Sequence, residues 1–348
     1  MNKATYRLAL AAVAALAPAA FAADRPLSLA DGMALAVEHN LTVKLAAAQT
    51  DEARAQADAA AAALLPKIAA SVGETRTFRE NLDAMGFSGY GYNGPFDTFD
   101  ARLSLALPLF DWGSYARLRS GKQRREAASL RQELAREQVC AAAALSYIEV
   151  LRAGAALEAA KADERLASEL LLLAQEHHAA GTATGLDVAR EKTRVAHEHS
   201  RVLYAQVALD DAGIRLRHAA GLPLDSGLAL TDSLAVGATT FPSADAAAAE
   251  AAAGRLELAI GRLDVQAADS SRRAASAGHL PTLSLSGDFG ISGVEMDKHA
   301  GTVGDMGVQL RVPVFYGGAI SAQSSSAEAA GAAAAARLAD AAVQVEQD

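Results

Sequence analysis

The 348-residue chain has one cysteine, one tryptophan, 5% aromatic residues and no positive net charge; its formal charge is −9. Each shortage excludes something. One cysteine cannot form an intramolecular disulfide, and no Cys–His cluster carries the spacing of structural zinc. The acidic balance argues against nucleic-acid binding. So few aromatics cannot fill a thick aromatic core. No run of about 20 apolar residues follows the N-terminus, which excludes a helical membrane span in the mature chain but leaves β-barrels open. What is abundant is alanine, roughly a quarter of the residues, with 21% charged residues, a composition suited to long, closely packed helices.

Residues 1–22 read as an export signal. Lys3 and Arg7 precede an apolar run from Leu8 to Ala20, and Ala20-Phe21-Ala22 has the small-x-small form of a cleavage site. Pro18 and the shortness of the run argue against an anchor helix. No cysteine follows the site to carry a lipid.

The chain repeats itself. Leu41 to Leu65-Pro66 and Leu256 to Leu280-Pro281 are Ala-rich helical stretches, each stopped by proline. Period-2 alternation follows each, first at Ile68, Ala70 and Val72, then at Leu283 and Leu285. Glycine-rich segments come next, at Asn81–Asn93 and Gly290–Gly304. Alternation resumes at Leu103, Leu105 and Leu107, and at Val308, Leu310 and Val312. Each second strand is expected to stop at a proline, in Pro108-Leu109-Phe110-Asp111-Trp112-Gly113 and in Pro313-Val314-Phe315-Tyr316-Gly317-Gly318, before a helix restarts. The fold expected is α+β, mainly α, built from two repeats of helix-strand-strand-helix. The first covers 23–222, with strands at about 67–79 and 97–108. A connector covers 223–242. The second covers 243–348, with strands at about 282–291 and 305–313.

The spacing predicts a long helical hairpin over 114–221. Its first helix runs without a break to about Ala180, on the order of 100 Å at 1.5 Å per residue. Leu134, Ala141, Ile148, Ala155 and Ala162 recur every seven residues, and Leu145, Ala159, Leu166 and Leu173 fill a companion position. Gly181-Thr182-Ala183-Thr184-Gly185 makes the turn. The return helix has a seam of Val188, Val195, Val202, Leu209 and Leu216, and Gly221-Leu222-Pro223 ends it. Cys140, among alanines, reads as a small buried residue.

Four strands of roughly ten residues can cross a bilayer when tilted, and their alternating faces suit a lipid-facing wall and a wet lumen. Four strands cannot close a barrel alone, and open edges in lipid cost several kcal/mol per unsatisfied group. Membrane-spanning strands would therefore require an oligomer with four strands per subunit. The other reading open to the pattern is a pair of soluble amphipathic hairpins capping a coiled coil. Arg102 and Ser104, with Gln309 and Arg311, lie on the polar strand faces as candidates to line the lumen; the arginines would bias it towards anions.

The export signal, the doubled unit, the Leu-Pro helix stops, Pro-Leu-Phe-Asp-Trp-Gly, the long hairpin and the turn Ala180-Gly181-Thr182-Ala183-Thr184-Gly185-Leu186-Asp187-Val188 resemble the TolC-type outer-membrane efflux proteins. The resemblance covers nearly all of the mature chain. It implies a homotrimer with a twelve-stranded barrel in the outer-membrane lipid of a Gram-negative bacterium, continued by a long α-helical coiled-coil tunnel in the periplasm. It also implies docking to a periplasmic adaptor protein and an inner-membrane pump, in a tripartite efflux or type I secretion system. The hairpin tip would form the tunnel entrance and the adaptor contact, which carries the role to Ala180, Gly181, Thr182, Gly185, Leu186 and Asp187. Asp187 would face the closing constriction; its plainer reading is a helix N-terminal carboxylate favoured by the dipole, and that of Gly181 and Gly185 is turn geometry.

Nothing in the sequence reads as enzyme chemistry. His197-Glu198-His199 lacks the His-Glu-x-x-His spacing that puts two ligands on one helical face, and together with His177-His178 reads as solvated helix surface. No metal, cofactor or nucleic acid is expected. Gly-rich 84–94, with Phe87, Tyr90 and Tyr92, reads as an extracellular loop. The expected function is a passive channel from periplasm to exterior; the alternative is a non-conducting periplasmic coiled-coil scaffold or an inactive channel remnant. The second repeat reaches Asp348 soon after Pro313, so by its own repeat the chain is short by roughly 75 to 80 residues, the length of a second hairpin.

Overall fold

The computed structural model of the chain describes residues 25–77, 96–233, 243–294 and 300–347. The export signal at 1–22 and the glycine-rich segment with Phe87, Tyr90 and Tyr92 lie outside the described residues. The contacts divide the chain into two units, Met1–Ala47 with Gln132–Pro242, and Ala48–Arg131 with Ser243–Asp348.

The first unit holds β1 (Arg25–Leu27), α1 (Leu29–His39), the start of α2 (Leu41–Ala62), most of α3 (Trp112–Ala179), α4 (Gly185–Ala219) and β4 (Leu228–Leu230). β1 and β4 pair in parallel, Leu27 opposite Leu230. Their side chains close a small core of Leu27, Tyr147, Val150, Ala153, Ala212 and Leu216, while Ala36, Val43, Val139 and Ala143 form a second cluster. Ser28 caps α1 by accepting from the Asp31 amide. Gly221 adopts a φ of 67° where α4 ends, and a Cβ there would lie 2.9 Å from the His39 carbonyl carbon. Only glycine fits both the left-handed backbone and the contact.

The hairpin corrects one seam. The return helix buries its seam as expected: Val188, Val195, Val202 and Leu209 are half-buried and Leu216 is buried. Along the hairpin part of α3 the buried positions are instead Ala135, Val139, Ala143, Tyr147, Val150, Ala153, Leu157, Ala160 and Ala167. The expected α3 seam lies largely outward, with Ala141, Leu145, Ile148, Ala155, Ala159, Ala162, Leu166 and Leu173 exposed. Alanine occurs on both faces: the buried stripe adds Val139, Tyr147, Val150 and Leu157 to it, and the outward face adds Leu145, Ile148, Leu166 and Leu173. An 18-residue stretch of α3 has a mean hydropathy of 1.4, high enough by length and composition to cross a membrane, although it is not an unbroken apolar run of about 20 residues. Alanine accounts for this, and the helix uses it for packing against α4. Cys140 is half-buried.

The second unit holds the rest of α2, the start of α3, β2 (Lys67–Thr77), β3 (Phe96–Phe110), α5 (Ala244–Gly254), α6 (Leu256–Ser276), β5 (Thr282–Gly293), β6 (Gly301–Arg311) and α7 (Ala319–Gln347). Its sheet is antiparallel throughout, in the order β2-β3-β5-β6. All four helix connections leave from one end of the sheet. β3 runs past Pro108 to Phe110, further than expected, with an irregular register between them. Pro108 lies beyond the last β2 pair, Lys67 with Ala106, where β3 has one neighbour and a missing amide is tolerated. The glycine-rich stretch expected as a loop lends its ends to β5 and β6, since Ser292 pairs with Gly301. Small and hydroxyl side chains join the helices: Ser120 Oγ donates to the Ala267 carbonyl at 2.9 Å, and Gly121 lies against Ala57.

Candidate functional site

Residues directly opposite in a sheet share a face, so the register assigns every side chain. One face carries Ile68, Val72, Leu103, Leu105, Leu107, Leu283, Leu285, Phe289, Ile291, Met306, Val308 and Leu310. Much of it is bare: Ile68 is 68%, Phe289 66%, Met306 77% and Val308 62% exposed. Beyond Val72 it ends in Glu74 and an Arg76–Asp97 ion pair of 3.7 Å, at the strand ends away from the helices. At the helix end, Phe110, Trp112, Tyr115, Phe315 and Tyr316 are all exposed. In a chain so poor in aromatics, this concentration matches the aromatic girdle of a membrane barrel.

The opposite face is polar, and it holds all four sequence candidates: Arg102, Ser104, Gln309 and Arg311. Gln309 pairs with Ser284, Arg311 with Thr282 and Ser104 with Asp288. The charge pattern was not foreseen. Arg102 Nε donates to Asp100 at 2.9 Å and its Nη1 to Asp288 at 2.9 Å, while Asp305 stands directly across from Asp288. Three carboxylates thus gather round one guanidinium midway along the sheet. Where β3 meets α3, Asp111 accepts from the Ser114 amide at 3.0 Å and caps the helix. Burial raises this carboxyl's pKa, but the Ser114 hydrogen bonds and the Arg117 charge outweigh it and hold it below the ordinary carboxylate range.

The hairpin turn gathers its own candidates. Ala180 closes α3, Gly181 takes a φ of 72°, and Thr182 Oγ1 donates to the His177 carbonyl at 3.0 Å. Gly185 opens α4 with Leu186 60% exposed beside it. Thr184 and Asp187 form a reciprocal capping box: the Asp187 amide donates to Thr184 Oγ1 at 3.3 Å, and the Thr184 amide to Asp187 Oδ2 at 2.9 Å. The Thr184 hydroxyl and amide, with Arg190, hold the Asp187 carboxyl below its usual range. Within one chain Asp187 is a cap. His177 and His178, expected as solvated surface, also serve the turn: His177 Nδ1 lies 3.0 Å from Thr182 Oγ1, and His178 Nδ1 donates to the Ala183 carbonyl at 3.0 Å. His199 pairs with Glu164 across the hairpin at 2.7 Å. Among the described residues no cluster of His, Cys, Asp and Glu could hold a metal ion.

A buried polar knot near the base of the hairpin went unnoticed in the sequence. Tyr147, 1% exposed, donates to the Leu27 carbonyl at 2.9 Å and lies 3.0 Å from Asp232 Oδ2, which accepts from the Leu29 amide at 2.7 Å. Burial pushes the Tyr147 phenol pKa up. Hydropathy patterns carry no signal for a pair 85 residues apart.

A family model described as outer membrane efflux protein matches residues 33–222 and 247–347. The proteases secretion protein PrtF of Dickeya chrysanthemi is 26% identical over 310 residues, which cover 87% of this chain and 67% of PrtF. The pyoverdine export outer membrane protein OpmQ of Pseudomonas aeruginosa is 27% identical over 288 residues, covering 80% of this chain and 59% of OpmQ. The chain therefore spans about three fifths to two thirds of these relatives' length. The structure of the outer membrane protein VceC from Vibrio cholerae superposes with a TM-score of 0.80 at 20% identity, over 91% of this chain and 75% of VceC, a likeness of fold.

Proposed function

This chain belongs to the outer membrane efflux protein family, and on that premise we propose that it is one protomer of a passive outer-membrane channel conducting solutes from periplasm to exterior. Its place is the outer membrane, with a helical portion in the periplasm. The observation that carries the channel reading is the sheet's division into a bare apolar face and a polar face, with exposed aromatics at one end. In water the apolar face would be an aggregation surface. In a bilayer it is the wall of a barrel whose lumen is the face bearing Arg102, Ser104, Gln309 and Arg311.

One copy leaves the outer edges of β2 and β6 unpaired. Each unsatisfied amide or carbonyl in hydrocarbon costs several kcal/mol, so closure by further copies is required. A homotrimer supplies twelve strands, β2 of one copy lying against β6 of the next. The outward leucines of α3 suit helix contacts between copies. The turn at Ala180–Asp187 is the entrance tip and the contact for a periplasmic adaptor, which links to an inner-membrane pump that supplies the energy. The channel conducts without catalysing a reaction. A division into repeats at 23–222 and 243–348 about a connector is supported by the two blocks of the family match. The soluble-scaffold alternative leaves the apolar face and the aromatic belt without a use.

The test is the full chain expressed with its export signal. Heat-modifiable trimers in the outer-membrane fraction, together with single-channel conductance in planar bilayers, are the expected result. A soluble periplasmic monomer overturns the proposal.

A further inference from the structure

An arginine-lined groove continues from the polar face of the sheet along the helices of the second unit. A cavity of about 690 Å³ begins at Thr282 and Arg311, which oppose each other on that face, and extends to Arg117, Ser271 and Gln323. A second, of about 220 Å³, shares Arg117 and Ser271 with it and reaches Arg124. A third, of about 420 Å³, shares Arg124 and continues to Arg131 and Arg337. Arg117, Arg124 and Arg131 recur every seven residues on α3, so the guanidiniums stand about 10 Å apart along the helix axis.

Two of these five arginines are compensated. Arg131 donates to Asp264 at 2.7 Å, and Arg117 lies 3.5 Å from Asp111. The third acid in the groove, Glu257, lies 3.8 Å from Arg255. Among the described residues Arg124 has only a hydroxyl partner, Ser271 Oγ at 3.2 Å. Among the described residues Arg311 and Arg337 have no ion pair. A chain of net charge −9 thus keeps three uncompensated guanidiniums in one groove. The planar guanidinium recognises carboxylate and phosphate oxygens through paired N–H donors.

We propose that this groove binds small soluble polyanions, molecules carrying two or more carboxylate or phosphate groups, and holds them along the helices that adjoin the sheet. Its position on the conduit rests on the channel reading; the binding itself does not. An extended polyanion can bridge successive arginines, which a monovalent anion cannot. The gathered carboxylates of Asp100, Asp288 and Asp305 lie further along the polar face, so the groove is where anions concentrate.

The test measures fluorescence anisotropy of pyrene trisulfonate with the detergent-solubilised full chain, beside bilayer conductance of the same preparation. The dye is expected to bind, to be released by about 0.5 M salt, and to be displaced by citrate or tripolyphosphate, their relative potency separating carboxylate from phosphate preference. Joint Arg124→Ser, Arg311→Ser and Arg337→Ser substitution should weaken binding at least about tenfold, while Lys at the same three positions, which keeps the charge but not the paired donors, should restore only part of it. If the serine variant does not fold, Arg337→Gln alone should still weaken binding, since Arg337 has no ion-pair partner to abandon. Failure of the dye to bind, or equal affinity in the folded serine variant, overturns the proposal. Intact conductance alongside such a failure leaves the channel reading standing. Dye binding without conductance overturns the channel reading alone.

Discussion

Arg102 on β3 reaches across the sheet to Asp288 on β5, its Nη1 2.9 Å from Oδ2, and thereby links the strands of the first half of the chain to those of the second. Among the described residues it is also the single cation against Asp100, Asp288 and Asp305 on that stretch of the polar face. Arg102→Ala should leave those carboxylates uncompensated and shift bilayer reversal potentials towards cation selectivity. Asp288→Asn should move them the opposite way. Equal selectivity in both variants would remove this face from the conduction path.

The Gly221 corner is an interlock, whereas Gly181 has open space. Both have positive φ, but a Cβ on Gly221 meets His39 and Asn40 while one on Gly181 meets nothing within 4 Å. Gly181→Ala should cost about 1 kcal/mol, the left-handed strain alone. Gly221→Ala should cost clearly more, because strain and overlap add. Protease susceptibility of the two variants against denaturant checks the order.

Tyr147 holds β1 and the segment after β4 through one hydroxyl. Tyr147→Phe keeps the ring and removes the buried hydroxyl that joins the Leu27 carbonyl to Asp232, a loss of about 1–3 kcal/mol. Tyr147→Ala also empties a buried site and should cost about 3–5 kcal/mol. Thermal unfolding of the detergent-solubilised chain should rank wild type above Phe above Ala.

The cap at the hairpin turn should respond to acid. Asp187 has a folded-state pKa below its unfolded value. Its contribution is therefore complete above the ordinary carboxylate range, near pH 4, and is lost as pH falls through the folded value. Amide protection at Thr184 and Asp187, corrected for intrinsic exchange, should hold from about pH 7 to pH 5 and fall towards pH 3. A flat profile would show that the hydroxyl half of the box suffices.

The two-faced sheet was legible because a period of two leaves a strong trace: alternation at Leu103–Leu107 and Val308–Val312 put the four lumen candidates on one face. Turn chemistry was equally readable at Gly181 and Asp187, where backbone geometry restricts the residue. The α3 seam was misread because alanine carries little periodic signal. Alanine lies on both faces, so the seven-residue spacing of leucines picked out the outward one, while Val139, Tyr147, Val150 and Leu157 mark the buried stripe. Partners distant in sequence, such as Tyr147 with Asp232 and Arg102 with Asp288, leave no local pattern at all. Strand ends failed for a related reason: glycines at 301 and 304 look like loop, yet in an antiparallel ladder their backbone pairs normally.

The two-faced sheet in its bilayer is tested most directly by spin labels on neighbouring residues of β6 in the reconstituted full chain. Labels at Val308→Cys and Leu310→Cys, in a Cys140→Ser background, should relax with oxygen dissolved in lipid and resist a water-soluble nickel chelate. Labels at Gln309→Cys and Arg311→Cys should respond to the chelate instead, giving an alternation of period two. Uniform access of the chelate to all four positions would contradict the channel reading, because both faces would then be in water.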